Sequence, residues 1–491
     1  MPAEPVFFDV VVVGAGLSGI AAGYHLQARC PGLRYAILEA REAIGGTWDL
    51  FRYPGVRSDS DMYTLGYSFR PWPSDASFAC GPDIREYVAG TAREHGIDRH
   101  IRFGQRVTAA SWDSAQARWT VSTTSPSGQE ARFECRFLFF CSGYYDYERG
   151  HEPQWAGTAD FRGRIVHPQH WPQALDVSGR RVVVVGSGAT AVTLVPELAT
   201  AAGHVTMLQR SPSYIAALPA RDRIGAAWRR WLPAGAAHRL IRWKNIALSM
   251  ALFQFARRRP EATARWLLRS AASLLGPGFD VERHLKPAYK PWDQRLCIAP
   301  DGDLFRAVRS GKASIVTDRI ERFTERGILL ASGQALEADI VVAATGLKLK
   351  LLGGARLTVD GRPVDLAQTV SYRGLMYGGI PNLATAMGYT NASWTLKCEL
   401  IARYVCRLLN HMQARGWDIC VPSADGPAAM ATRPAIDLSS GYVQRAADLL
   451  PRQGERRPWR IHQNYLQDLL SLRFSPLRDG AMRFARRTGG T

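Results

Sequence analysis

Four consecutive valines, Val10 to Val13, open the hydrophobic pattern of the chain. An unbroken apolar run of this kind suits a parallel strand buried on both faces. After a glycine-rich turn the apolar residues fall at helical spacing from Ile20 to Leu26, and "YAILEA" supplies a second strand that ends at Glu39. Strand, turn, helix and strand make one βαβ unit. The pattern returns in "RVVVVGSGATAVTLVPELATAAGHVTMLQRS", with a strand at Val182–Val185 and the next ending near Arg210. Two such units predict two nucleotide-binding domains rather than a repeat array.

Between the units, "RWTVSTT" and "RFECRFLFFCSGYY" alternate or run apolar in short segments, which predicts a β-meander returning to the first domain. "GILLASGQALEADIVVAATG" repeats that pattern and ends in the apolar strand Ile340–Ala344. Both apolar strands stop in small-residue turns, "CSG" and "ATG", where the chain is expected to cross between domains. Residues 213–290 read as a mostly helical insert, broken by Pro233, Pro260 and Gly276–Gly278. The tail after Pro422, with its prolines, arginines and short amphipathic pieces, is expected to wrap the surface. The fold class is therefore α/β, with two Rossmann-like dinucleotide-binding domains and a helical insert. The expected division is 1–150 and 345–491, with the tail, for the first domain, 151–212 and 291–344 for the second, and 213–290 for the insert.

A length of 491 residues fits two or three domains, and an apolar content of 46% is ordinary for a soluble globular protein. Glu4 and Asp9 stand where a secretory leader needs basic residues, so a cytoplasmic protein is expected. No apolar window reaches the roughly 18 to 20 residues that span a bilayer. The eight cysteines form no C-x-x-C pair, which points away from a zinc site and from a dithiol redox centre, and no metal is expected. A net charge of +19 raises the question of nucleic acid, but no RNP, helix-turn-helix or finger signature accompanies it and no nucleic-acid partner is expected. Much of the surplus sits between Arg221 and Arg269, where twelve Arg or Lys face two acids.

The first glycine cluster, Gly14, Gly16 and Gly19, is a G-x-G-x-x-G that follows an apolar strand and opens a helix, with an acid twenty residues after Gly19. That context is what a dinucleotide fingerprint requires. The turn and the helix N-terminus suit a pyrophosphate, and Glu39 suits a ribose diol while disfavouring a 2′-phosphate, so FAD or NAD is expected there. The second cluster, Gly186, Gly188 and Ala191, is the G-x-G-x-x-A variant, and its next strand ends in Arg210 instead of an acid. A guanidinium pairs bidentately with a 2′-phosphate, which argues for NADPH. Two unlike sites imply FAD first and NADPH second. Without a redox cysteine pair, electrons pass more economically to oxygen than to a disulfide, because reduced flavin activates oxygen itself.

"GGTWDLFRYPGVRSD" and "FRGRIVHPQHWP" then carry a resemblance. They are similar to the two signatures of type I Baeyer-Villiger monooxygenases, filled by Gly45, Gly46, Trp48, Tyr53, Pro54, Gly55 and Asp59 in the first, and by Phe161, Gly163, His167, Trp171 and Pro172 in the second. The likeness runs nearly end to end and is greatest for the ethionamide-activating branch, through "KPWDQRLC" and "GYTNASWTLK". It implies insertion of one oxygen atom of O2 beside a ketone carbonyl, giving an ester or lactone through a C4a-peroxyflavin, with oxygenation of sulfides and thioamides as well. It places Trp48 at the flavin, Arg295 as the active-site arginine, and Asp59 as the carboxylate that holds Arg295. A fixed cation in a dry site would stabilise the anionic peroxide and the tetrahedral adduct. His167 and Trp171, entering the NADPH domain, imply a positional role at the hinge. Gln294 departs from the lysine that many relatives carry there, leaving Arg210 as the main phosphate candidate. The alternatives are a nitrogen- or sulfur-oxygenating flavin monooxygenase, an NADPH oxidase, and a non-enzymatic flavoprotein. For the basic insert, a helix lining the substrate cavity is the preferred reading, and peripheral membrane contact or self-association through 221–269 is the other.

Overall fold

The computed structural model describes residues 5–423, 431–436 and 438–487. The first glycine turn hangs from a nine-stranded sheet whose central strand, Val6–Val13, is buried between two parallel neighbours, Tyr35–Leu38 and Glu130–Phe140. Val12 sits opposite Ile37 on one side and Phe139 on the other, which is why this stretch is apolar without alternation. The meander Arg106–Asp113, Arg118–Thr124 and Glu130–Phe140 is antiparallel, and its last strand is the neighbour of the first strand of the chain. The meander and the first βαβ unit are thus one continuous sheet. Arg356–Val359 and Leu383–Thr385 join that sheet from the far end of the sequence.

The second glycine turn hangs from a five-stranded, all-parallel sheet. Its order is Ala313–Thr317, His204–Gln209, Arg181–Val185, Ile340–Ala343 and Arg164–Val166. Strands from both sides of the insert therefore complete it. The insert supplies helices Arg223–Trp231, Ala234–Arg258, Pro260–Leu275 and Val281–Leu285. Pro233 precedes the second of these, Pro260 opens the third where a missing N–H costs nothing, and Gly276 at φ +88° ends it. The insert is not wholly helical: Ile215–Leu218 pairs in parallel with Cys297–Pro300, and that pairing fixes the chain just beyond Arg295. All eight cysteines are free, and seven are buried.

A buried polar knot ties the insert to the first domain. Arg242 donates to the Tyr63 carbonyl at 2.9 Å, the Gly66 carbonyl at 2.6 Å and Glu399 Oε2 at 2.8 Å. Glu399 also accepts from Ser68 Oγ at 2.7 Å and faces His25 at 3.7 Å. Burial alone would raise the Glu399 carboxyl, but His25, Arg242 and Ser68 outweigh it and hold it down at about 2. Glu399→Gln leaves the Arg242 charge buried without its counter-ion and is expected to cost about 3–5 kcal/mol. The folded-state value lies below the ordinary 4.5, so the carboxylate's contribution is complete above pH 4.5 and is lost as the pH falls towards 2. Thermal midpoints of the two proteins, taken from neutral to acid pH, should therefore differ most near neutrality and converge on acidification.

Candidate active site

Helix Leu17–Arg29 starts at Gly16 with no side-chain cap and no acid in its first turn. Its free N–H groups are thus open to an anion. Gly19 is there because nothing larger fits: a Cβ on it would lie 1.8 Å from the Gly14 carbonyl oxygen. The Gly45–Gly46 loop closes over the turn, with Gly46 Cα 3.5 Å from a Cβ placed on Gly16. Trp48, half-buried, packs against the cores of both domains. Glu39 is buried and accepts from the Ala15 N–H at 2.6 Å and the Arg41 N–H at 2.9 Å. Burial raises its carboxyl against the pull of those two donors. A carboxylate has about four acceptor positions, so two remain for a diol. At the next residue a cavity of about 630 Å³ opens, lined by Ala40, Val107, Thr108, Gly353 and Gly354.

The second turn repeats the design. Gly186 has φ +143°, and a Cβ there would lie 2.3 Å from the Ala344 carbonyl oxygen. Helix Ala189–Leu198 starts at Gly188, again uncapped and without an acid in its first turn. Ala191, in place of a third glycine, is fully buried. Arg210, just past strand His204–Gln209, is exposed. A second guanidinium joins it from the C-terminal part of the chain: Arg445 Nη2 lies 3.9 Å from where a Cβ on Gly346 would stand. Burial and the Arg210 charge both lower the Arg445 pKa, which places the two cations beside one another. Neither has a carboxylate partner among the described residues.

The stretch from Phe161 to Pro172 staples the crossing strand Tyr145–Gly150 to the second sheet. Phe161 is buried against Phe323, and Gly163 leaves room for the Asp339 carbonyl. His167 Nδ1 accepts from the Gln169 N–H at 3.2 Å, and its ring covers Gly150 so closely that a Cβ there would lie 2.1 Å from Cε1. The Gln169 amide donates to the Asp146 carbonyl at 2.9 Å, and Trp171 packs on the second core. Burial lowers the His167 pKa, so the ring is neutral near pH 7 and acts by position.

Arg295 stands two residues ahead of strand Cys297–Pro300. Its side chain is exposed, although Tyr144, Tyr145, Tyr442 and Asp59 stand close enough to act on its charge. Burial works against its charge, and those neighbours more than offset burial and hold its pKa above the ordinary value. Asp59 is pushed up to about 6 by burial, against the pull of Arg295 and Arg57. The expected bridge is absent: among the described residues no ion pair joins Asp59 to Arg295, whereas Arg57 binds Asp303 at 2.5 Å. Asp59 shares the field of Arg295 without an ion pair to it.

An aromatic wall links this cation to the first glycine turn. The Tyr144 and Tyr145 hydroxyls are 3.1 Å apart, Tyr144 stacks on Trp394 at 5.0 Å, and Trp394 Nε1 donates to Ser18 Oγ at 2.9 Å. Sequence reasoning missed all of these. Tyr144 and Tyr145 follow the "CSG" turn directly, a placement that could have flagged them, whereas no local pattern marks Tyr442 or Arg445. A permanent cation among aromatic rings stabilises negative charge that develops next to it.

Residues 8–222 match the model of the flavin-binding monooxygenase-like family. The chain is 53% identical to the FAD-containing monooxygenase EthA of Mycobacterium tuberculosis over 98% of both chains. It is 51% identical to EthA of Mycolicibacterium smegmatis, over 98% of this chain and 97% of that one. In structure it is similar to an oxidized steroid monooxygenase bound to NADP, with a TM-score of 0.75 at 21% identity over 98% of this chain and 100% of the other. The OTEMO complex with FAD and NADP gives 0.73 at 20% identity over 99% and 100%.

Proposed function

The chain belongs to the FAD-containing, flavin-binding monooxygenases, and on that premise we propose that it is of the Baeyer-Villiger type, inserting one oxygen atom of O2 beside the carbonyl of a ketone to give an ester or lactone. It consumes NADPH, acts in the cytoplasm, and also oxygenates sulfides and thioamides. Bound FAD, reduced by NADPH, supplies the activated oxygen. The first glycine turn, Glu39 and the cavity at Ala40 hold the FAD nucleotide, with Trp48 closing over it. Segments 151–212 and 291–344 form the unit that binds NADPH. The observation that carries the reading is Arg295, an obligatory cation beside three tyrosines and joined through Tyr144 and Trp394 to the helix behind the first glycine turn. Arg295 holds the carbonyl oxygen as it becomes negative, and Asp59 tunes the field around it. Trp171-Pro172 at the end of the second signature favours ketone chemistry over nitrogen or sulfur oxygenation as the main activity. The test is mass analysis of products after NADPH and a panel of ketones and thioethers are supplied under ¹⁸O2. Labelled ester supports the proposal, and NADPH oxidation with labelled sulfoxide alone replaces it with the sulfur-oxygenating alternative.

Arg210 and Arg445 together face the 2′-phosphate of NADPH, with Arg445 supplying from a distant segment the second cation that Gln294 does not. Arg210→Ala and Arg445→Ala are each expected to weaken NADP⁺ binding by about tenfold to a hundredfold while leaving NAD⁺ binding nearly unchanged. Calorimetry on the FAD-loaded protein measures both. Equal loss of the two nucleotides would remove the phosphate assignment.

A further inference from the structure

Asp49 stands next to Trp48, at a position the first signature leaves open, and is 2% exposed. Three arginines converge on its carboxylate. Arg41 donates to Oδ2 from Nη2 at 2.6 Å and from Nε at 3.0 Å, Arg52 donates to Oδ1 from Nη2 at 2.7 Å, and Arg85 donates to Oδ1 from Nη1 at 3.3 Å. Burial alone would raise the Asp49 carboxyl, but Arg41, Arg52 and Arg85 outweigh it and hold it below the ordinary value. One guanidinium balances one buried carboxylate, so three serve something other than neutrality.

Where the three come from shows what that is. Arg41 lies just beyond strand Tyr35–Leu38, and its own N–H is one of the two donors on Glu39. Arg85 comes from helix Gly81–Glu94. Arg52 follows the one-turn helix Thr47–Leu50 and ties down its end, Nε donating to the Asp49 carbonyl at 3.1 Å. That turn carries Trp48. Four residues of helix have no stability of their own, and this one starts at Gly46 without a side-chain cap. The preceding residue, Gly45, donates its N–H to the Ala15 carbonyl at 3.1 Å, inside the first glycine cluster. Asp49 thus joins the strand end at Glu39, the loop over the first glycine turn and helix Gly81–Glu94.

We propose that Asp49 is a positioning residue for the flavin nucleotide. It holds the Gly45–Gly46 loop and the Trp48 turn down on the first glycine turn. It also occupies the Arg41 guanidinium, which would otherwise be free to pair with Glu39 two residues earlier and take the acceptor positions meant for a ribose diol. The inference rests on the reading above that the first glycine turn carries FAD. Asp49 itself need not touch the cofactor.

Charge and position predict opposite outcomes for Asp49→Asn. The substitution takes a negative charge from beside an anionic cofactor, and by charge alone FAD would bind more tightly. By position it binds more weakly. A carboxylate accepts at both oxygens, whereas an amide offers one acceptor oxygen and turns two donors towards the arginines. The guanidiniums then part, and the loop and the Trp48 turn lose the point that fixes them.

The test dilutes the purified, FAD-loaded protein and reads the fluorescence of released flavin, which gives the FAD dissociation constant. Asp49→Asn is expected to raise that constant about tenfold to a hundredfold, the effect of removing a partner that orients a ligand-holding group. Asp49→Glu keeps the charge among three long, partly exposed side chains and should recover most of the affinity. With FAD in excess, NADP⁺ binding measured by calorimetry should be unchanged in both variants, because the second glycine turn hangs from the other sheet. An Asp49→Asn protein that binds FAD as tightly as the native one, or more tightly, overturns the proposal. Equal loss of FAD and NADP⁺ binding also overturns it, since the cluster would then serve folding alone. Gly19→Ala separates this inference from the reading beneath it. A Gly19→Ala protein that stays fully yellow removes both, whereas a colourless one beside an Asp49→Asn protein of native FAD affinity removes the role of Asp49 alone.

Discussion

Replacing Arg295 by alanine is expected to lower the rate of ketone oxygenation by about 10²–10³-fold, the usual effect of removing one preorganised partner of a developing oxyanion. The substitution removes the cation from among Tyr144, Tyr145 and Tyr442 and leaves only neutral phenols at the place where charge develops. Those phenols stay protonated at neutral pH: burial pushes Tyr442 up to about 12 and Tyr144 higher still. They cannot donate a full positive charge in place of the guanidinium. NADPH should still be oxidised, because the second glycine turn and Arg210 are untouched, so reducing equivalents should end in hydrogen peroxide instead of ester. Arg295→Lys should recover part of the rate, since it restores the charge without the planar fork. The measurement is ester formed per NADPH consumed, and an undiminished ester rate in the alanine variant would take the catalytic role away from this residue.

Gly19→Ala should produce a colourless protein. The added methyl group would lie 1.8 Å from the Gly14 carbonyl oxygen, backbone against backbone, with no flexible side chain to yield. Helix Leu17–Arg29 must then back away from strand Val6–Val13, and the uncapped helix end leaves the position from which it can meet a pyrophosphate. The packing strain alone is worth about 1–3 kcal/mol. The larger loss is the flavin, read as visible absorbance per mole of purified protein. Gly32→Ala is the control, because a Cβ at that position in the same βαβ unit meets nothing within 4 Å. Full yellow colour in the Gly19 variant would mean that the first glycine turn does not carry the flavin.

What could be read from the chain alone was whatever depends on neighbours in sequence. The valine run at Val10–Val13, the glycine spacing at Gly14–Gly19 and the breaks at Pro233, Pro260 and Gly276 are local, and the structure realises each of them in place. The tail is where local reading fell short. It was expected on the surface, yet it brings Tyr442 to Arg295 and Arg445 to Gly346, through contacts that span roughly 100 to 150 residues of sequence and leave no periodicity behind. The Asp59 bridge failed for another reason. A signature records which residue types coexist and says nothing of whether two charges touch, and here the carboxyl feels the guanidinium's charge without an ion pair to it. The apolar stretch between basic ends in helix Ala234–Arg258 was visible in the sequence, but only packing shows which of its apolar side chains are left outside.

The five-stranded sheet has a further consequence, which concerns how the protein is made. Ile340–Ala343 lies between Arg164–Val166 and Arg181–Val185, so those two early strands have no direct bond to one another. Until the ribosome has delivered residue 343, the nascent chain carries a half-built sheet with open edges. The larger sheet waits longer still, for Leu383–Thr385. Neither half can therefore mature as an independent product of the growing chain, and a message cut short anywhere within the insert yields polypeptide with two unfinished sheets.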